Sequence, residues 1–181
     1  MPDLNAYLEN NILKRFHDAW QVARADERLP RRIDISLQLF ARFVPNMAIY
    51  QRFGRCDIRY RQVGEAVRLR VDGAKPGVNI FELLDPSIFD ISEPWWNGLF
   101  DQPCGGISEY SSDNTDGAAR RMVSLLLPVR RDTTDERLLV GYNRVLAQTK
   151  GDEPFDKFVV GKRGVSGYFL DVGFGCPPQV E

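Results

Sequence analysis

The sequence predicts an α+β fold in which helices pack on a five-stranded antiparallel sheet. Residues 3–25 repeat apolar side chains at spacings of three and four, the period of an amphipathic helix. From residue 46 the period changes to two, and from residue 105 alternating or continuous apolar runs return, as expected for strands. Short helical segments separate the two groups of strands, so the order is helix, two strands, helical insert, three strands.

The N-terminal helix is predicted over residues 3–25, and Asp3 is a candidate cap for it. A stripe of this width packs either on the sheet of its own chain or on a second copy, and the sequence leaves both open. If the stripe packs on a second copy to form a dimer, a charge at Leu8, Ile12 or Phe16 is expected to produce monomers. The apolar stripe consists of Leu4, Leu8, Ile12, Leu13, Phe16, Trp20 and Ala23.

Two strands joined by a turn are predicted over residues 47–53 and 58–63, with Gly54 opening the turn. Gly64 ends the second strand, and residues 65–71 are predicted to be the first helical piece of the insert. Glycine permits a sharp backbone reversal and lets a following helix pack close to the strand. We therefore expect Gly64 to be the hinge between the strand and the insert.

The insert is predicted to continue with a short helical turn capped by Asn79 and a helix over residues 87–100, interrupted by Pro94. Three further strands are predicted, and the last two are apolar at almost every position. Alternation therefore does not say which of their side chains face the helices. The three strands cover residues 107–110, 122–129 and 138–146.

These elements divide the chain into an N-terminal amphipathic helix over residues 1–28, a domain over residues 29–149 and a C-terminal extension over residues 150–181. The extension contains several glycines and enough aromatic residues to dock on the domain or on a partner, and the sequence leaves both open. Its aromatic residues are Phe155, Phe158, Tyr168, Phe169 and Phe174.

Composition argues against several classes of protein. The net charge is −1, so no global field attracts nucleic acid. No apolar run approaches the roughly 18 residues that a membrane helix needs, and the first residues do not resemble a signal peptide. Three cysteines, far apart, do not form a disulfide framework and fit a reducing cytoplasm.

Four short stretches resemble a bacterial family of single-domain PAS-like proteins: LPRRID at 29–34, RYRQVGEA at 59–66, GVNIFELL at 77–84 and LLLPV at 125–129. The tail lies outside the resemblance, and Glu65 follows Gly64 where the family often has threonine. The resemblance implies a PAS fold, a sensory or interaction module that holds a small ligand or cofactor between its helices and its sheet. PAS domains commonly pair through an N-terminal helix.

No catalytic or metal-binding pattern accompanies the resemblance, and we predict no enzymatic activity. His17 is the only histidine, and we interpret it as solvated helix surface before the PAS-like region. A haem-binding PAS domain usually supplies a histidine from its insert, so we expect no haem. Cys104 lies in a turn rather than in an adduct-forming helix, so we expect no covalent flavin adduct. The oxygen-rich segment 111–117 is interpreted as a polar hairpin loop rather than a cation site.

The candidate ligand site lies between the insert and the sheet. Trp95 and Trp96 are adjacent on a helix and point about 100° apart, so one is able to face the core while the other lines a pocket. Ser124 and Asn143 are polar positions in apolar strands, and a buried polar group requires a partner. The predicted ligand-binding residues are Phe81, Trp95, Trp96, Tyr110, Ser124 and Tyr142.

Two functional hypotheses follow. The first is a cytoplasmic, non-enzymatic sensory or regulatory module that binds a small apolar or aromatic ligand, acts on a signalling partner and forms a homodimer. The alternative is a protein–protein adaptor with a filled core and no ligand pocket, whose aromatic tail docks on its partner. Neither hypothesis names a cofactor.

Overall fold

The structure, a computed structural model, describes residues 11–113, 119–133, 136–148 and 163–179. Within these ranges it confirms an α+β fold, an antiparallel six-stranded sheet with few helices. The α-helices are α1 (Asn11–Arg24), α2 (Leu37–Phe40), α3 (Glu65–Arg70) and α4 (Phe89–Asp101). The strands are β1 (Met47–Gly54), β2 (Asp57–Val63), β3 (Gly105–Asp113), β4 (Ala119–Arg130), β5 (Arg137–Gln148) and β6 (Arg163–Leu170).

The strands lie in the order β2, β1, β5, β4, β3, β6, and neighbouring strands are antiparallel. The sheet therefore has six described strands rather than the five predicted. The additional strand, β6, comes from the C-terminal extension and pairs with β3, from Gly105 opposite Leu170 to Ser111 opposite Arg163. Glycine has low β-propensity and no side chain to show alternation, so β6 has a weak strand signal. Part of the extension belongs to the same sheet as residues 29–149.

Both faces of the sheet are buried. One face packs against α1 and α2, and Ile49, Leu125 and Val140 belong to its core cluster. The other face packs against the helical insert, and Tyr50 and Leu126 belong to that second cluster. Successive side chains of a strand point to opposite faces, so a strand covered on both sides reads as a continuous apolar run.

Helix α1 packs on the sheet of its own chain. Phe16 and Trp20 have no exposed surface, and the ring centroid of Phe16 lies 5.4 Å from that of Tyr142. Trp20 Nε1 donates a hydrogen bond of 2.9 Å to the carbonyl oxygen of Pro128. The described part of the apolar stripe is therefore used within the chain, and a charge at Phe16 would act on this core. Residues 3–10 of the predicted helix lie outside the described residues.

Strands β1 and β2 form the predicted hairpin, with Gly54 paired with Asp57 at the turn. Gly64 follows at φ −68° and ψ 153°, an extended conformation that is open to most residues. A Cβ atom at Gly64 would lie 2.2 Å from the carbonyl oxygen of Val44 and 2.5 Å from that of Pro45. Glycine is thus needed for the close approach of two backbone segments, and not for the sharp reversal that we predicted.

Asn79 connects the insert to the hairpin. Its Oδ1 atom accepts from the backbone N–H of Phe81 at 3.2 Å, which is the predicted cap of a short helical turn at Ile80–Glu82. The same oxygen accepts from the backbone N–H of Ile58 in β2 at 3.1 Å. One side chain therefore holds the start of this turn against the edge strand.

Pro94 does not interrupt the last helix of the insert, contrary to the prediction. Helix α4 continues through Pro94 to Asp101. Packing of a buried face contributes most of the stability of a helix in a protein and here outweighs the local cost of proline. The buried residues of this helix are Ser92, Trp95, Asn97, Leu99 and Phe100.

Candidate ligand-binding site

A cavity lies between the helical insert and the face of the sheet that the insert covers. Its volume is about 80 Å³, counted as the space that the centre of a water molecule can reach. One water molecule requires roughly 10–15 Å³ by the same measure, so the cavity has room for a small organic molecule. An apolar wall with a few placed polar groups is typical of small-molecule sites. Most of the apolar wall comes from the insert, including Val67, Val71, Ile80, Leu83, Leu84 and Ile88.

A hydrogen-bonded polar pair lies on the sheet side of the cavity. Ser124 and Asn143 are cross-strand partners in β4 and β5, and both are buried. The hydroxyl of Ser124 donates to Oδ1 of Asn143 at 2.6 Å. Asn143 Nδ2 donates to the backbone carbonyl of Asn46 at 3.5 Å, and Asn46 Oδ1 accepts from Arg70 Nη2 at 2.6 Å. The pair is thereby connected to a guanidinium group at the end of α3.

Three buried tyrosines, Tyr50, Tyr60 and Tyr110, add aromatic rings and hydroxyls to the wall. The ring centroid of Tyr50 lies 5.1 Å from that of Tyr60 and 5.1 Å from that of Trp96. Burial raises the pKa of all three hydroxyls above the usual value for tyrosine. The neutral form of each hydroxyl is therefore favoured, and the hydroxyl of Tyr50 already shares hydrogen bonds with Tyr60 and Asn143.

Trp95 contributes a buried donor to the wall. Its side chain is 5% exposed, and Nε1 has no hydrogen-bond partner among the residues that the structure describes. The indole packs on two glycines of neighbouring strands. A Cβ atom at Gly106 would lie 2.9 Å from Cζ2 of Trp95, and one at Gly167 would lie 2.8 Å from Nε1. The two glycines therefore make the space that the indole occupies.

Four of the six predicted site residues line the cavity: Trp95, Trp96, Tyr110 and Ser124. They come from α4, β3 and β4, which are separate in sequence and meet here because the insert covers the sheet. The rings of Trp95 and Trp96 lie 5.3 Å apart at an interplanar angle of 74°. Both tryptophans of the predicted set therefore line the cavity.

The other two predicted residues, Phe81 and Tyr142, do not line the cavity. Phe81 is buried against Phe89, with ring centroids 5.9 Å apart, and its neighbour Ile80 lines the cavity instead. Tyr142 lies on the opposite face of the sheet, in the cluster that packs on α1. Because Asn143 faces the cavity, the preceding side chain in the strand must face away.

Several cavity residues were absent from the predicted set: Tyr50, Tyr60, Arg70, Asn143 and Gly167. Tyr60 alternates with charged residues in β2, and this signal identifies it as inward-facing. Asn143 was identified as a polar position in an apolar strand, but its direction was not. Gly167 had no signal, because it lies in the strand that the sequence did not predict.

Other candidate chemical groups lie apart from the cavity. The side chain of His17 is 20% exposed and stacks on Trp20, so it is partly buried rather than solvated surface as predicted. Burial raises the pKa of the Cys104 thiol to about 12. Within the described ranges, no three His, Cys, Asp or Glu side chains are grouped to hold a metal ion. The oxygen-rich segment 111–117 lies partly outside those ranges.

Comparison of the chain with protein-family models, with curated proteins and with solved structures finds no match. The function of the cavity must therefore be inferred from its own geometry and chemistry. In the part of the chain that the structure describes, no helix combines the length and the apolar character that crossing a bilayer requires.

Proposed function

We propose that this protein is a non-enzymatic sensory or regulatory module of the PAS type that binds a small apolar or aromatic ligand. The observation that carries the proposal is the cavity between insert and sheet, with its apolar and aromatic wall and its mostly neutral polar groups. The order of β1 to β5, two strands, a helical insert and three strands, supports the resemblance to PAS-like proteins.

A ligand in this cavity would contact α3, α4 and the sheet together. A ligand changes the conformation of a protein only where it binds two states with different affinity. Filling the space under the insert would favour one packing of α3 and α4, and we propose that a signalling partner detects this packing. The insert is thus the element through which occupancy is transmitted.

The proposed setting is the cytoplasm, since Cys56, Cys104 and Cys176 are all free thiols. A homodimer remains part of the proposal. Its interface would involve surfaces other than Leu13, Phe16 and Trp20, because these side chains are buried within the chain.

The adaptor hypothesis has less support. It requires a filled core and an aromatic tail that is free to bind a partner. Phe169 is buried in the same chain, and the ring centroid of Phe174 lies 4.7 Å from the guanidinium carbon of Arg28. Phe155 and Phe158 lie outside the described residues. Phe169 and Phe174 therefore contact their own domain.

Native mass spectrometry of the purified protein, followed by the same sample under denaturing conditions, tests the proposal. Extra mass that is lost on denaturation reveals a bound small molecule. Ser108→Leu places a larger apolar side chain in the cavity wall, whereas Gln38→Leu places the same side chain at an exposed site. We expect the ligand to be lost from Ser108→Leu and kept in Gln38→Leu. A species of bare chain mass that also fails to bind small neutral aromatic probes would contradict the proposal.

A further inference from the structure

The indole nitrogen of Trp95 is the unexplained polar group of the cavity. The side chain is 5% exposed and lines the cavity, and its N–H has no acceptor among the described residues. An unpaired buried donor destabilises a protein, and such groups are uncommon in native structures. No described residue supplies the acceptor that this donor requires, and the side chain that carries it lines a cavity.

Trp20 provides an internal comparison. It is also buried, but its Nε1 donates to the carbonyl oxygen of Pro128 at 2.9 Å. Trp20 lies on the other face of the sheet, away from the cavity. Among the described residues, the indole that is packed in the core has an acceptor and the indole that lines the cavity has none.

The orientation of the Trp95 indole follows from Gly167. A Cβ atom there would lie 2.7 Å from Cδ1 and 2.8 Å from Nε1 of Trp95, so this edge of the indole lies against β6. Gly167 also lines the cavity. The polar pair Ser124 and Asn143 belongs to β4 and β5, and β3 separates these strands from β6. On β3, Ser108 lies opposite both Ser124 and Gly167 and also lines the cavity, so polar positions of the wall follow one another across the strands from Asn143 to the edge of Trp95.

The wall is poor in charge. The polar side chains that line it besides Trp95 are neutral, with the exception of Arg70, which already donates to Asn46 Oδ1 at 2.6 Å. A charged ligand would leave water for mostly apolar surroundings, which is unfavourable without full compensation. The neutral polar residues are Tyr50, Tyr60, Ser92, Ser108, Tyr110, Ser124 and Asn143.

We infer that the cavity takes an uncharged aromatic molecule with a hydrogen-bond acceptor, such as a ketone or amide carbonyl, that binds the indole N–H of Trp95. This inference rests on the proposed function and specifies the class of its ligand. The aromatic part of the molecule packs among the rings of Tyr50, Tyr60 and Trp96, where offset and edge-to-face contacts are favourable.

Nuclear magnetic resonance of the indole N–H groups tests the inference with three probes of similar size. Acetophenone carries a carbonyl acceptor, α-methylstyrene has a CH₂ group in place of that oxygen, and benzoate is an anion. The chain has three tryptophans, so the ¹H–¹⁵N spectrum contains few indole signals. The variant Trp95→Phe identifies the Trp95 signal, and Trp20, already paired with Pro128, is the control.

We expect acetophenone to bind about five- to tenfold more tightly than α-methylstyrene, the effect of one net hydrogen bond. Acetophenone should move the Trp95 signal downfield and leave the Trp20 signal in place. Benzoate should bind at least about tenfold more weakly than acetophenone, because the wall is mostly apolar. In Trp95→Phe the two neutral probes should bind with equal affinity.

Each contrary result has a separate meaning. Equal affinities of the two neutral probes for the wild-type protein overturn the inference and leave the proposed function standing. If neither neutral probe binds, this result contradicts both the inference and the proposed function. Benzoate that binds most tightly, and loses this preference in Arg70→Met, replaces the neutral site by an anion site. If Trp95→Phe does not fold, the ratio of the two affinities in the wild-type protein still decides.

Discussion

The hydroxyl of Ser124 and the side-chain amide of Asn143 meet across β4 and β5, with Ser124 Oγ 2.6 Å from Asn143 Oδ1. Both side chains lie beneath the insert and line the cavity. Hydrogen bonds between buried neutral partners contribute modestly when made, but an unmade one leaves a buried polar group without compensation. The contribution of this pair to the free energy of unfolding therefore measures how firmly its hydrogen bond holds the polar side of the cavity in place.

The first prediction concerns the energetic coupling of this pair. Ser124→Ala removes the donor to Asn143 Oδ1, and we expect the free energy of unfolding to fall by about 1–3 kcal/mol. Urea denaturation of Ser124→Ala, Asn143→Ala and the double variant gives a double-mutant cycle. We expect a coupling energy of about 0.5–2 kcal/mol. Additive effects of the two substitutions would show that the hydrogen bond does not stabilise the fold.

The second prediction concerns the glycine at the start of the insert. Gly64→Ala would place a Cβ atom 2.2 Å from the carbonyl oxygen of Val44, and backbone atoms yield less readily than a side chain. We expect a loss of about 3 kcal/mol or more in the free energy of unfolding. Gly54→Ala is the matched control, because its Cβ would lie 3.7 Å from the nearest atom, Cβ of Asp57. Comparable losses in the two variants would contradict this account of Gly64.

The third prediction concerns the docking of α1. Trp20→Phe removes the donor to the Pro128 carbonyl and leaves a small void, so we expect a loss of about 2 kcal/mol in chemical denaturation. Val22→Ala is the control on the same helix, since Val22 is 62% exposed, and it should change stability by less than about 0.5 kcal/mol. A Trp20→Phe protein as stable as the wild type would mean that α1 does not pack on the sheet in solution.

The fourth prediction concerns thiol reactivity. The thiolate is the reactive form, and a pKa of about 12 leaves Cys104 thiolate at about one part in 10⁴ at pH 8. Cys56 is exposed. Mass spectrometry after brief maleimide treatment of the folded protein should find the label on Cys56 at least about 100-fold faster than on Cys104. As a control, both cysteines should react readily in denaturant. Equal rates for Cys56 and Cys104 in the folded protein would contradict the prediction that Cys104 is buried as a protonated thiol.

The fifth prediction concerns His17. Burial lowers the pKa of His17 below its ordinary value of 6.5, although Asp18 acts in the opposite direction. The folded state thus favours the neutral imidazole, so its contribution to stability is complete above pH 6.5 and is lost as pH falls through the lowered pKa. The chain has one histidine, so a proton NMR titration follows it directly.

The midpoint of that titration should lie below 6.5. His17→Gln removes the titrating group, and the stability of this variant should fall less between pH 6.5 and 5 than that of the wild type. A midpoint at or above 6.5, or identical pH profiles of the two proteins, would contradict the prediction.

Much of the fold could be predicted because the local signals agree with the tertiary structure. The hairpin of β1 and β2 alternates, and the glycine before α3 precedes a helical pattern, so these elements appear where expected. Strand β6 could not be predicted, because glycine shows no alternation and the reason for Gly167 is its packing against Trp95. The uninterrupted course of α4 through Pro94 also depends on packing with the sheet, which no local pattern contains.

The candidate site was predictable at positions where the residue type is unusual for its helix or strand. The adjacent tryptophans at 95 and 96 and a serine inside an apolar strand were such positions, and all three line the cavity between insert and sheet. The error at Tyr142 has a simple cause. In β5 both faces are buried, so Tyr142 and Asn143 are equally acceptable inward-facing residues until the pairing of Asn143 with Ser124 is known.

The pairing of β6 with β3 also determines which strand forms this edge of the sheet. A chain that ended at residue 149 would leave β3 at the edge of the sheet, with backbone N–H and C=O groups free to template strands of other copies. It would also remove Gly167 and its strand from beside the Trp95 indole. The C-terminal segment therefore moves the edge of the sheet from β3 to β6 and covers one side of the Trp95 indole, so we expect a chain without it to aggregate more readily.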